Sequence, residues 1–188
     1  MRHIHPTAII YRDVVIGDDV VIGPFCVIGG PPEHREFYDG KKETYGVQIH
    51  QGARIFSHVT IDAGTIGPTI IGEKTAIFNK SHIAHDASIG NLVTIGGSVS
   101  LAGHTTIMDG ANVSGFSCSF QRVVIGAYSF IGGNSFITRD IPPGEKWLGS
   151  PAREAGINEV GLSRANMTLE QCLWKYNRDY ERLVNAKG

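Results

Sequence analysis

The segment Ser81-His82-Ile83-Ala84-His85-Asp86 brings two imidazoles and a carboxylate together, and Gly103-His104 follows eighteen residues after His85-Asp86. Two chemistries use such a set. A His oriented by a neighbouring acid is a general base, able to deprotonate a hydroxyl or an amine. The same His-x-x-His-Asp segment with His104 could offer ligands to zinc, although side chains three apart at a bend diverge and no further ligand is obvious. A third reading is a set of polar corner residues without a task. The choice among the three depends on the element that carries them.

That element is a hexapeptide ladder. Stepping by six, large aliphatic residues recur at Ile4, Ile10, Ile16, Ile22 and Ile28, again at Ile49, Ile55 and Ile61, and then from Ile71 to Ile137. Of 20 rungs 17 are Ile, and only Ser119 is polar. Four residues after a rung the side chain is usually small, as at Ala8, Cys26, Ala53, Ser81, Ala87, Thr105 and Ser135. A helix would need a period near 3.6, and a meander would need turn signals between alternating strands. Neither fits. The period predicts very short parallel strands joined by tight corners, with Ile filling the axis of a β-solenoid.

Taking three hexapeptides per coil, residues 18 apart stack in adjacent coils, about 4.8 Å apart. Ile10, Ile28, Ile61, Ile83, Leu101, Ser119 and Ile137 then share one face. His85 stacks on Gly103 and Gln121, and Asp86 on His104 and Arg122. A base, an acid that orients it and a backbone N–H without a side chain in its way thus share one column, and these are the parts acyl transfer needs: His85, Asp86 and the Gly103 N–H as oxyanion donor. Both breaks in the ladder, after Ile28 and after Ile61, leave from this same corner, so the expelled segments at about 30–48 and 64–70 are expected to wall a site.

The composition sets limits on the rest. Of 188 residues 24 are Gly, and Ile outnumbers Leu by 22 to 7, a β-protein bias. The net charge of −1 offers no basic surface for nucleic acid or an acidic membrane. Cys26, Cys118 and Cys172 form no disulfide framework or metal motif. The start shows no long apolar run and nothing approaches a membrane span, so no membrane insertion and a cytoplasmic location are expected. The coil is expected over 1–143, with the prolines of Asp140-Ile141-Pro142-Pro143 ending strand pairing. A loop and helical extension over 144–188 follows. Its last segment opens on a Thr168/Gln171 capping box, with Leu169, Cys172, Leu173, Tyr176, Tyr180 and Leu183 as a packing stripe.

NKSHIAHDASIGN (79–91) and LAGH (101–104) resemble the active-site segments of the UDP-N-acetylglucosamine O-acyltransferases of lipid A biosynthesis, within the hexapeptide-repeat acyltransferase superfamily. IHPTAI (4–9), IGPFCVIG (22–29), VTIDAGT (59–65), DIPP (140–143) and GINEVGLSR (156–164) extend the resemblance over most of the chain. It implies a left-handed parallel β-helix of about seven coils and a homotrimer with its site between subunits. The implied reaction moves a fatty acyl or 3-hydroxyacyl group from acyl carrier protein to the 3-hydroxyl of UDP-GlcNAc, with no cofactor and no metal. It makes His85 the general base, Asp86 its orienting partner and Gly103 the oxyanion donor. His82 and His104 would contact sugar or acyl groups, Gln121 would line the acyl cleft, Gly133 would gauge acyl length, and Asn158 and Arg164 would hold the nucleotide.

The chain departs from the family pattern in places. Phe120 stands where the family has His, Val160 where an acid is expected beside Glu159, Ala165 in place of a second basic residue, and Arg35 near an expected Lys. The same residues leave open N-acyl transfer to an amino sugar nucleotide from acyl-CoA or acyl carrier protein, a zinc-dependent carbonic anhydrase on the same scaffold, and a catalytically silent scaffold.

Overall fold

A computed structural model describes residues 3–37, 39 and 41–187. The hexapeptides form three parallel sheets around one axis, with seven, seven and six strands, and two later strands extend the first sheet to nine. The first runs from His3–Ile4 through Ala76–Ile77 to Phe130–Ile131, the second from Ile9–Ile10 through His82–Ile83 to Phe136–Ile137, and the third from Val14–Ile16 through Ser88–Ile89 to Val124–Ile125. The register is the one the ladder predicts: Ile10 faces Ile28, Ile28 faces Ile61, Ile61 faces Ile83 and Ile83 faces Leu101.

Rungs from Ile22 to Ile137 are buried and stack along the axis. The small residues four places on let the chain turn, and their hydroxyls satisfy corner carbonyls. Thr75 Oγ1 donates to the Gly90 carbonyl at 2.7 Å and Ser81 Oγ to that of Gly96 at 2.8 Å. Most corners also turn through one residue of left-handed backbone, among them Asp86, His104 and Arg122 at φ near +60°. That conformation costs a non-glycine residue about 1–2 kcal/mol. Stacking offsets the cost, because the same N–H reaches the previous coil: His104 N–H to the His85 carbonyl and Arg122 N–H to that of Gly103, both at 3.0 Å.

Pro142 and Pro143 do not end the pairing as expected. They occupy a corner, where no ladder donor is needed, and the strand Glu145–Leu148 adds to the first sheet with Ile131 facing Trp147. Trp147 closes the end of the axial core. The segment Gly149-Ser150-Pro151-Ala152 turns this strand back into Arg153–Ile157, which pairs antiparallel with it. Within the expected loop and helical extension, Asn158 starts a short helix, α1 (Glu159–Arg164). The expected capping box opens α2 (Leu169–Asn185), with Gln171 N–H on Thr168 Oγ1 at 3.2 Å and Thr168 N–H on Gln171 Oε1 at 2.8 Å. Its buried Cys172 and Tyr176 pack with Leu162 against Met108, Val124 and Ala127 of the coil.

Candidate active site

His85 and Asp86 sit at the corner that follows the second sheet, and both ladder breaks leave there, after Gly30 and after Asp62. His85 Nδ1 lies 2.7 Å from Asp86 Oδ2, and the two side chains are only 13% and 4% exposed. The second break forms a tight loop around the carboxylate. Asp86 Oδ1 accepts N–H bonds from Thr65 (2.8 Å), Ile66 (2.9 Å) and Gly67 (3.2 Å), and Oδ2 accepts the Thr65 hydroxyl at 2.6 Å. Gly64 makes this wrap possible, since a Cβ there would lie 1.6 Å from the Gly67 carbonyl oxygen. Burial acts to raise the Asp86 pKa. The Thr65 hydroxyl, the Ile66 N–H, His85 and the Gly67 N–H together outweigh it and hold the carboxyl down at about 2. Asp86 is therefore a fixed anion at neutral pH.

Gly103 lies against the other edge of the His85 ring. A Cβ at Gly103 would come within 2.8 Å of Cε1 and Nε2, so only glycine lets the backbone approach so closely. Among the described residues the Gly103 N–H has no acceptor. His104 stands edge-on to His85, ring centroids 5.1 Å apart, with Nε2 3.8 Å from Asp86 Oδ2. Burial lowers the His104 pKa, with Arg122 and the neighbouring imidazoles acting the same way against the pull of Asp86. The first loop adds His34, edge-on to His85 on centroids 5.8 Å apart.

His82 projects outward from the second sheet on the same side. Its Nδ1 is 2.8 Å from Thr60 Oγ1, while Nε2 is buried without a hydrogen-bond partner, 3.8 Å from Asp62 Oδ2 and 3.9 Å from Glu33 Oε2. Asp62 is buried, which raises its pKa against the opposing Glu33 N–H at 3.1 Å and the charge of His82. Of these contacts, Thr65, His34, Glu33 and Asp62 escape the sequence reading. Thr65 and Asp62 lie inside VTIDAGT and the other two inside the first expelled segment, but loop conformation sets their direction and no period reports it.

The remaining expected site residues divide between other places. Gln121 is exposed at the His85 corner, one coil beyond Gly103. Gly133 is at the opposite edge of the second sheet, in a column with Gly97 and Gly115. Asn158 and Arg164 lie off the first sheet, where with Thr94, Asn112, Phe130 and Lys146 they line a cavity of about 820 Å³. Asn158 is buried as the cap of α1: its Oδ1 accepts the Gly161 N–H at 3.1 Å and its Nδ2 donates to the Tyr128 carbonyl at 2.7 Å. Phe120 packs on Phe136 with ring centroids 5.0 Å apart.

His85, Asp86 and His104 offer nitrogen and oxygen atoms within 4.8 Å of one another, the spacing of a metal centre. The carboxylate argues for the base instead. Its two oxygens already take four donors from the loop and one contact from His85, which uses its acceptor capacity in holding the loop and the imidazole.

The solenoid of hexapeptides has the repeat of the hexapeptide transferases, and residues 3–30 match the family described as bacterial transferase hexapeptide (six repeats). The chain superposes on a UDP-N-acetylglucosamine acyltransferase from Bacteroides fragilis with a TM-score of 0.85 at 31% identity, covering 99% of this chain and 77% of that one. It belongs to the UDP-N-acetylglucosamine acyltransferase family, and its coil is the left-handed parallel β-helix expected from the sequence. It is 33% identical over 184 residues to the acyl-[acyl-carrier-protein]–UDP-N-acetylglucosamine O-acyltransferase of Agrobacterium fabrum and 38% identical over 167 residues to that of Alkalilimnicola ehrlichii. These matches cover 96% and 87% of the chain but 66% and 63% of the two relatives, so the chain spans just under two thirds of their length.

Proposed function

We propose that the protein transfers a fatty acyl or 3-hydroxyacyl group from acyl carrier protein to the 3-hydroxyl of UDP-N-acetylglucosamine. The observation that carries this reading is the His85 ring, held by Asp86 on its Nδ1 edge and bordered by Gly103 on its Nε2 edge. His85 Nε2 takes the proton of the acceptor hydroxyl as the oxygen attacks the thioester carbonyl. The tetrahedral oxyanion is received by the Gly103 N–H. Collapse breaks the C–S bond, and the imidazolium returns its proton to the departing thiolate, leaving an ester and a free carrier thiol. Asp86 stays charged throughout, fixes the tautomer and stabilises the imidazolium. His82 and His104 flank the base as substrate contacts, Gln121 and Gly133 border the acyl path, and no cofactor enters the scheme.

The protein acts as a homotrimer in the cytoplasm. Asn158 and Arg164 serve the nucleotide from a different face of the prism, so a neighbouring subunit has to bring them to a His85 corner. The corner between the first and second sheets carries exposed Phe25, Phe56, Phe78 and Phe116, with Phe56 stacked on Phe78 at 4.5 Å, an apolar edge that a subunit would cover. Among the described residues no helix is long and apolar enough to cross a membrane, and the three cysteines are free.

Mass spectrometry of products from acyl carrier protein loaded with several chain lengths, against UDP-sugars bearing a 3-hydroxyl or a 3-amine, tests the reading. An ester on UDP-N-acetylglucosamine is expected. His85→Ala should lower kcat by about 10²–10⁴-fold with little change in KM. A folded His85→Ala protein of nearly full activity refutes the mechanism, and an amide product alone replaces the hydroxyl acceptor with an amine.

A further inference from the structure

Ser119 is the polar rung of an otherwise apolar ladder, and it is buried. In a regular coil the residue after a rung donates its N–H to the carbonyl of the next rung in the stack. Ala84 does so to Leu101 at 3.0 Å and Phe120 to Ile137 at 2.8 Å. Between these two the pattern breaks. The Ala102 N–H goes to Ser119 Oγ at 3.2 Å, and the strands Ser100–Leu101 and Cys118–Ser119 stay in register only at Ser100 and Cys118.

Thr105 completes the departure. Its Oγ1 lies 3.0 Å from Ser119 Oγ and 2.7 Å from the Ala102 carbonyl oxygen, with the Phe120 carbonyl farther off at 3.4 Å. The shortest contacts set the order of the protons. Ser119 Oγ receives the Ala102 N–H and gives its own proton to Thr105 Oγ1, and the Thr105 hydroxyl donates to the Ala102 carbonyl. Three hydrogen bonds close a ring that begins and ends on Ala102.

The Ala102 carbonyl and the Gly103 N–H are opposite ends of one rigid trans peptide plane. Holding the carbonyl on Thr105 therefore aims the N–H the other way, out of the coil beside His85. The equivalent places in the coils on either side are Leu101 and Ile137 for Ser119, and Ala87 and Val123 for Thr105. The hydroxyl pair thus occurs together only in the coil that carries Gly103. We propose that Ser119 and Thr105 are positioning residues that orient the Gly103 N–H to receive the oxyanion of acyl transfer. This rests on the O-acyltransfer reading above.

The test separates orientation from packing. Replacing both hydroxyls by methyls of similar shape keeps the packing but takes those partners from the Ala102 N–H and carbonyl. Ser119→Val with Thr105→Val should therefore fold cooperatively but melt somewhat below the wild-type temperature. Its kcat should nonetheless fall about 10–10²-fold, short of the 10²–10³ lost when an oxyanion donor is removed outright, with KM within about twofold. Each single Val variant should lose about as much as the double, because the ring acts as a unit. Thr105→Ser keeps the hydroxyl and should retain kcat within about threefold on the same grounds. A folded double variant with wild-type kcat, while His85→Ala is inactive, overturns this proposal alone. Absence of any acyl transfer by the wild type overturns the O-acyltransfer reading and this proposal together.

Discussion

Asp86 holds an imidazole and a loop with one carboxylate, and the two tasks separate experimentally. Four of its bonds belong to the 65–67 segment and one to His85. Holding the carboxyl from its ordinary 3.8 down to about 2 contributes on the order of 2 kcal/mol to folding. The sign follows from the depressed value: the unfolded chain takes up the proton first, so the contribution is complete above about pH 4 and fades as the pH falls towards 2. Asp86→Asn is expected to be destabilised by on the order of 2 kcal/mol at pH 7, and urea melts should show the gap to wild type closing between about pH 4 and pH 2. A gap unchanged over that range would mean that the loop is held by something other than the charge. Burial lowers the His104 pKa from its ordinary range and so disfavours its charged form.

At the scale of elements, the second sheet is the platform between two corners. The His85 corner borders one edge, the glycine column of Gly97, Gly115 and Gly133 borders the other, and the outward side chains His82, Ser100, Cys118 and Phe136 cross between them. An acyl chain starting at the His85–Gly103 edge and running across this sheet reaches Gly133 at its far end. A Cβ at Gly133 would meet only the Gly115 carbonyl, at an ordinary 3.4 Å, so Gly133→Met should fold. Its side chain would fill space otherwise taken by distal methylenes, each worth about 0.8 kcal/mol when buried. Competition between acyl carrier proteins of different chain length should show preference moving to shorter chains; unchanged selectivity in the folded variant would make Gly133 purely structural.

For the whole molecule, stability and assembly draw on different surfaces. The axial stack supplies the stability: Ile95, buried at the centre of the first sheet, should cost about 2–4 kcal/mol on replacement by Ala, with chemical denaturation as the measure and activity at low denaturant little changed. The proposed assembly would draw on the outside, on the exposed phenylalanine corner and on the separation of the Arg164 cavity from His85. Sedimentation at micromolar concentration should report a trimer. A stable monomer that still transfers acyl groups would contradict a site shared between subunits.

The repeat, the three faces and the stacking of His85 on Gly103 are legible in the residues alone, because a period of six assigns every residue to a face and a height once coils of eighteen are assumed. The sequence also places both loops at one corner and locates the capping box of α2, since each is a local signal. Three features needed the tertiary structure. The wrap of Thr65, Ile66 and Gly67 around Asp86 depends on loop backbone direction, which carries no period. The strand Glu145–Leu148 persists past Pro142-Pro143 because those prolines fall at a corner, a fact of coil phase rather than of proline chemistry. Asn158, read as a nucleotide contact, has its amide engaged at both ends in capping α1 and bonding Tyr128 thirty residues away. Ser119 lies between the two cases. Its polarity in the ladder is plain from the sequence, but only the stacked coils show that its hydroxyl replaces a ladder carbonyl and, through Thr105, holds the peptide of Gly103.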